Sequence, residues 1–275
     1  MSDQAARAAR AGRFLELHRP GDPLVMPNPW DLGSARLMAW LGFEALATTS
    51  SGFAATLGRL DGGVTRDEAL AHAAAIADAV EVPVSADLEN CFAADPEGVA
   101  ETARRAVAAG LAGFSVEDYD PDSESIYEHA HAVERVRAAV EVAHGAPGGP
   151  LVVTARAEGY LRLPEPDREE IIGRLQAFQE AGADVLFAPG PVDSETVSAI
   201  VSAVDRPVNV LARPGAPTVS ELGDLGVARI SVGGALAFSA IGGWIDAARE
   251  LREQGTYGYF EQMAAGGKAA RQAFG

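Results

Sequence analysis

Two carboxylates, Asp87 and Glu89, close the run "PVSADLENCF", and a third, Glu117, closes "GFSVE". Alternation along a strand puts Ser85, Asp87 and Glu89 on one side and Val84, Ala86 and Leu88 on the other. Acids that share a face repel one another, and burial raises the cost, so the pattern asks for a cation, a shared proton or open solvent. With the two runs as neighbouring strands, the carboxylates of Asp87, Glu89 and Glu117 converge, and a magnesium ion held directly or through waters relieves the repulsion. The structural alternative is that these acids cap loops or pair with arginines. Arg156 follows Val152 and Thr154 on the inward face of "LVVTAR". Its planar fork suits bidentate grip of a carboxylate. It also suits an ion pair with Glu158 or Glu117, and the two roles are compatible.

Other chemistries are short of residues. The only lysine is Lys268, near the C-terminus, which removes a Schiff-base lysine deep in the fold. His18, His72, His129, His131 and His144 all fall in helical or connecting segments, so no histidine-ligated zinc site is expected. Oxygen ligands and a hard cation remain. Cys91 is the single cysteine; no histidine is placed to activate it and the nearby acids raise its pKa, so it reads as an inert thiol rather than a nucleophile. "TTSSGF", from Thr48, offers hydroxyls and a glycine through which backbone amides approach an anion. Gly233 and Gly234 lie where many barrels bind phosphate, but packing of the next helix is the simpler use.

The elements that must position these groups alternate regularly. Strand candidates are "LVMP" from Leu24, "ALATT" from Ala45, "VPVSAD" from Val82, "GFSVE" from Gly113, "LVVTAR" from Leu151, "DVLFA" from Asp184, "PVNVLA" from Pro207 and "RISVG" from Arg229. Helical periodicity lies between them, as in "TRDEALAHAAAIADAV", where Thr65 and Glu68 form a capping box, and "DPEGVAETARRAVAAG", closed by Gly110. About eight β/α units in roughly 250 residues predict an α/β fold of the (β/α)8 barrel type. No G-x-G-x-x-G opens the first helix, which argues against a dinucleotide fold. Barrel function sits at the C-terminal ends of strands. There the sequence places Asn28 and Asp31, Thr48 to Gly52, the three acids, Asp118, Arg156 and Glu158, Asn209 and Arg213, and Ser231 with the two glycines. The barrel is expected over residues 1–255, and residues 256–275 as an extra helical tail. Tyr257, Tyr259, Phe260 and Met263 form an apolar set suited to another subunit.

The 275 residues carry a formal charge of −17, which disfavours nucleic acid and anionic membranes as partners. No signal peptide or spanning segment is evident, so a soluble cytoplasmic protein is expected.

"LHRPGDPLVMPNPWDLGSAR", "TTSSGFAATLGRLDGG", "PVSADLE", "GFSVED" and "VVTARAEG", continuing into "PVNVLA" and "ISVGGALAF", together resemble the isocitrate lyase and phosphoenolpyruvate mutase superfamily over nearly the whole chain. The resemblance implies a (β/α)8 barrel whose last helix is exchanged with a neighbour. It also implies a homotetramer, a dimer of helix-exchanged dimers, and a magnesium ion, or manganese in its place, that binds a 2-oxo acid or its enolate. By position it implies that Ser51, Gly52 and Phe53 cradle the substrate carboxylate, with Asp61 as the acid after that loop. Asp87 and Glu117 become magnesium-site acids and Arg156 the substrate arginine, with Asn209 in the substrate set.

Two departures from the family pattern matter. Ser85-Ala86-Asp87 stands where the family usually has Asp-Ala-Asp, with Glu89 placed to replace the lost charge. The region after the fourth strand reads "YDPDSESIYEHAH", where the lyases carry Lys-Cys-Gly-His. The expectation is a magnesium-dependent enzyme acting on a small 2-oxo acid of the pyruvate, oxaloacetate or 2-oxoglutarate class. Its chemistry would be that of a lyase, hydrolase or decarboxylase working through an enolate, without isocitrate or methylisocitrate cleavage. A phosphonopyruvate-type P–C bond enzyme and a non-catalytic 2-oxo acid binder are the alternatives.

Overall fold

In the computed structural model, which describes residues 3–275, every one of the eight expected runs is a strand. The strands are β1 (Leu24–Met26), β2 (Leu46–Ala47), β3 (Val84–Ala86), β4 (Gly113–Glu117), β5 (Tyr119–Asp120), β6 (Ser125–Ile126), β7 (Val152–Arg156), β8 (Val185–Phe187), β9 (Val208–Leu211) and β10 (Arg229–Ser231). All but β5 and β6 join one parallel sheet in the order β1-β10-β9-β8-β7-β4-β3-β2. The seam between β1 and β2 is bridged by the Ala47 amide, which donates to the Pro27 carbonyl at 3.2 Å, and by the Asn28 side-chain amide on the Thr48 carbonyl at 3.2 Å. With helices between successive strands, this is a nearly closed (β/α)8 barrel.

Local chemistry explains the helix starts. Thr65 and Glu68 form the expected capping box of helix Arg66–Ala79, and Asp95 caps helix Pro96–Ala108, with Pro96 in its first turn. The largest apolar cluster lies between sheet and helices, around Leu46, Ile76, Phe114, Leu175 and Phe178. A second cluster plugs the bottom of the barrel: Phe14, from helix Asp3–Glu16, meets Leu24, Met26, Ala47, Val152 and Val185. A Cβ on Gly113 would lie 2.5 Å from the Val152 carbonyl oxygen and 3.0 Å from the Phe14 ring, so only glycine lets this plug seat.

Three local features go beyond the sequence reading. "TTSSGF" is not an open loop; Thr49 caps a short helix, Ser50–Thr56. The "YDPDSESIYEHAH" region begins with the antiparallel hairpin β5–β6. The tail forms the expected helix, Phe260–Phe274, and within the chain touches helix Leu32–Trp40, with the Phe274 ring 3.8 Å from the place a Gly33 Cβ would occupy. The preceding helix, Ala235–Glu253, carries the bare apolar face, with Phe238 and Trp244 exposed.

Candidate active site

The C-terminal mouth of the barrel holds a cavity of 390 Å³ that runs inward past Asp87, Arg156, Glu158 and Asn209, adjoined by one of 230 Å³ over Asp61, Glu89, Glu117 and Tyr119. Ser50, Asp61, Arg156 and Arg162 line both. Three arginines, Arg156, Arg162 and Arg229, therefore stand among six carboxylates: Asp61, Asp87, Glu89, Glu117, Glu124 and Glu158.

Arg156, at the end of β7, organises the acids. Its Nη1 lies 3.0 Å from Asp87 Oδ1 and its Nη2 lies 3.0 Å from Glu117 Oε2 and 2.9 Å from Glu158 Oε1; Nε also donates to Glu158, at 2.9 Å. The ion-pair role of Arg156 is thus realised. With five N–H donors available, one on Nη1 stays free for another oxygen. Burial works against its charge, but Glu117, Glu158 and Asp87 outweigh that and raise its pKa. Glu117 is itself pushed well above the ordinary carboxylate range, by burial first and then by Glu158 and Asp87, against the opposing arginines. Arg162 adds a second cation, 3.5 Å from Glu158 Oε2 and 3.9 Å from Glu117 Oε1, while its guanidinium lies over the Tyr119 ring at 4.0 Å.

Asp87 is held from several sides. Its amide donates to Thr48 Oγ1 at 2.9 Å, and its Oδ2 accepts the Ser50 amide at 3.2 Å. Glu89 reaches the mouth by a different route from strand alternation. β3 ends at Ala86, Leu88 turns into the core, and Glu89 takes a positive φ of 50°. Burial, Asp87 and Asp61 push its pKa up to about 7. Asp87 and Glu117 are thus drawn together by a guanidinium, and Glu89 feels the charges of both Asp87 and Asp61. Among the described residues no three His, Cys, Asp or Glu side chains form a ready metal cluster.

The remaining expected residues separate as well. Ser51 lines the cavity, its hydroxyl 3.2 Å from Thr49 Oγ1. Gly52 sits behind it with its amide already taken by Thr49 Oγ1, and the Phe53 ring stacks on His72 at 3.8 Å, away from the cavity lining. Asn209 is buried in the cavity wall and donates to Ser231 Oγ at 3.0 Å. Asn28 accepts the Val232 and Gly233 amides, Asp31 caps helix Leu32–Trp40, and exposed Arg213 reaches the Gly190 carbonyl. A Cβ on Gly234 would strike Ser51 Oγ and the Phe238 ring, so this glycine serves packing. Cys91 is buried, and burial pushes its thiol to about 12, as an inert thiol requires. Arg162 and Arg229 also line the cavity, beyond the residues the strand-end pattern picks out. The spacing of Glu158 and Arg162 is a signal for the first, and the inward register of Arg229 with Ser231 is one for the second.

Fold and site together define a (β/α)8 barrel with an acid-rich, arginine-organised cavity at its C-terminal mouth. Residues 14–252 match the phosphoenolpyruvate phosphomutase family. The chain belongs to that family, within the isocitrate lyase/PEP mutase superfamily, and is an enzyme of it. A structure from Burkholderia cenocepacia described as a lyase/mutase is 46% identical, with a TM-score of 0.92 over 98% of this chain and 96% of that one. An uncharacterized protein of Mycobacterium tuberculosis is 34% identical over 80% of this chain and 81% of its own. The 2-methylisocitrate lyase of Escherichia coli is 28% identical over 70% of each chain. Oxaloacetate decarboxylase 1 of Pseudomonas putida is 29% identical over 88% of this chain and 84% of its own.

Proposed function

We propose that this enzyme acts on a small 2-oxo acid, of the pyruvate, oxaloacetate or 2-oxoglutarate class, with magnesium or manganese as its cofactor. It would break a C–C bond by lyase, hydrolase or decarboxylase chemistry through an enolate. The observation that carries this reading is the set of six carboxylates around Arg156 and Arg162 at the cavity mouth. That excess of negative charge, made only of oxygen donors and with Glu89 and Glu117 held towards protonation, fits a hard divalent cation. Asp87 and Glu117 would hold it, with Glu89 nearby, through waters where the acids do not themselves converge. When bound, the ion supplies positive charge where a 2-oxo acid carries its carboxylate and keto oxygens.

This chain's residues do the rest. Arg156 is fixed by three acids, so its remaining Nη1 donor is aimed without reorganisation at an oxygen on which charge grows. Ser51 and Asn209 offer hydrogen bonds along the wall. Arg162 over Tyr119 ties the mouth to the hairpin and adds positive charge at its edge. Hairpin β5–β6 brings no lysine or cysteine, which supports a small substrate over a tricarboxylate. Helix Ala235–Glu253 and the tail suit packing on further copies in an oligomer, and the charge of −17 disfavours a nucleic-acid or anionic-membrane partner.

Product analysis by NMR with magnesium present tests the reading. Turnover of a 2-oxo acid is expected, and none of isocitrate or 2-methylisocitrate. Robust glyoxylate or pyruvate release from either tricarboxylate overturns it. Affinity without product would identify a binder instead.

A further inference from the structure

Arg229, the first residue of β10, is 3% exposed and sends its guanidinium into the barrel interior. Its Nε donates to Asn209 Oδ1 at 2.9 Å, its Nη2 to Thr154 Oγ1 at 3.1 Å, and its Nη1 meets His18 Nε2 at 3.1 Å. Every one of these acceptors is neutral. His18 donates from Nδ1 to the Phe14 carbonyl at 2.7 Å, which leaves Nε2 as an acceptor, and burial with the neighbouring Arg229 charge lowers its pKa to about 3. Among the described residues no carboxylate forms an ion pair with Arg229. Burial and the charge of Arg156 push its pKa down to about 9, so it still carries its charge at neutral pH. A buried, uncompensated cation costs several kcal/mol, and the usual remedy is an anion.

The room for that anion is visible. Barrel interiors are ordinarily filled by bulky branched side chains. Here Ala47, Ser85, Ser115, Thr154 and Ser231 line the interior and leave the 390 Å³ cavity open down to Arg229. Of its five N–H donors, two remain after the three contacts above, one on each terminal nitrogen. Arg156 lies two residues beyond Thr154 on the same face of β7, about 7 Å further along the strand. The cavity therefore has a guanidinium at its floor and another at its mouth, separated by the reach of a short diacid.

We propose that Arg229 is the floor of the substrate site and receives the second carboxylate of a dicarboxylic 2-oxo acid, which makes diacids the preferred substrate class. This rests on the reading that the mouth takes a 2-oxo acid. Matched acids of equal chain length separate the two ideas: 2-oxoglutarate against 2-oxopentanoate, and oxaloacetate against 2-oxobutyrate, titrated calorimetrically with magnesium present. The wild type is expected to bind each diacid at least tenfold more tightly than its partner. Arg229→Gln should abolish that preference while leaving the monoacids within about threefold, and Arg229→Lys should restore part of it. Equal affinity for both members of each pair in the wild type overturns this inference alone. So does an unchanged preference in a folded Arg229→Gln variant. Where that variant does not fold, the wild-type pairs decide. Failure of every acid to bind the wild type overturns the 2-oxo acid reading and this inference with it.

Discussion

Arg156 Nη1 lies 3.0 Å from Asp87 Oδ1, joining residues 69 positions apart in the chain. The pair ties the end of β7 to the segment after β3, across the intervening strand β4, whose own terminal acid Glu117 meets the same guanidinium. One cation thereby decides how three strand ends are arranged.

Removing that cation should cost stability as well as activity. Arg156→Met leaves Glu117 and Glu158 buried without their main partner, a loss on the order of 3–5 kcal/mol. Arg156→Lys keeps the charge but cannot address three carboxylates with a planar fork, so it should recover only part. Urea unfolding at neutral pH measures both variants. A midpoint unchanged in Arg156→Met would show that the acids are compensated some other way.

Metal binding should depend on Asp87. Calorimetric titration of magnesium or manganese, with oxalate as an enolate mimic, is expected to show binding that Asp87→Asn weakens at least tenfold. Unchanged affinity in that variant would move the ion elsewhere.

Acid should destabilise the fold through His18. Its pKa falls from 6.5 unfolded to about 3 folded, so between those values the unfolded chain binds more protons. The stability His18 contributes is fully present above pH 6.5 and is lost as pH falls toward 3. The difference corresponds to on the order of 4–5 kcal/mol. Unfolding free energies across that window should fall less steeply in His18→Gln than in wild type. Parallel curves would remove His18 from the account.

The bare face of helix Ala235–Glu253 predicts an assembly. Trp244 is 70% exposed and Phe238 52%, a surface unusual for a monomer. Light scattering at micromolar concentration should report an oligomer, and Trp244→Glu should shift it toward smaller species. A wild-type monomer would contradict the reading.

What the sequence determined by itself is the architecture and the address of the site. Eight apolar runs, the capping box at Thr65 and the polar residues at strand ends are local patterns, set by residue periodicity and short-range hydrogen bonding, and they appear where the pattern puts them. Glu89 shows the limit of that logic. Alternation puts it on the face of Asp87, but the chain leaves the strand after Ala86 and a left-handed φ at Glu89 sets its carboxyl in the field of both Asp87 and Asp61. The tertiary structure alone decided that Arg156 fills the space between Asp87 and Glu117, that Gly52 and Phe53 sit behind the cavity, and that Arg229 stands charged at its floor. Each depends on which strands become neighbours and how far a side chain reaches across the closed barrel. Those distances join residues remote in the chain, and nothing in a run of adjacent residues encodes them.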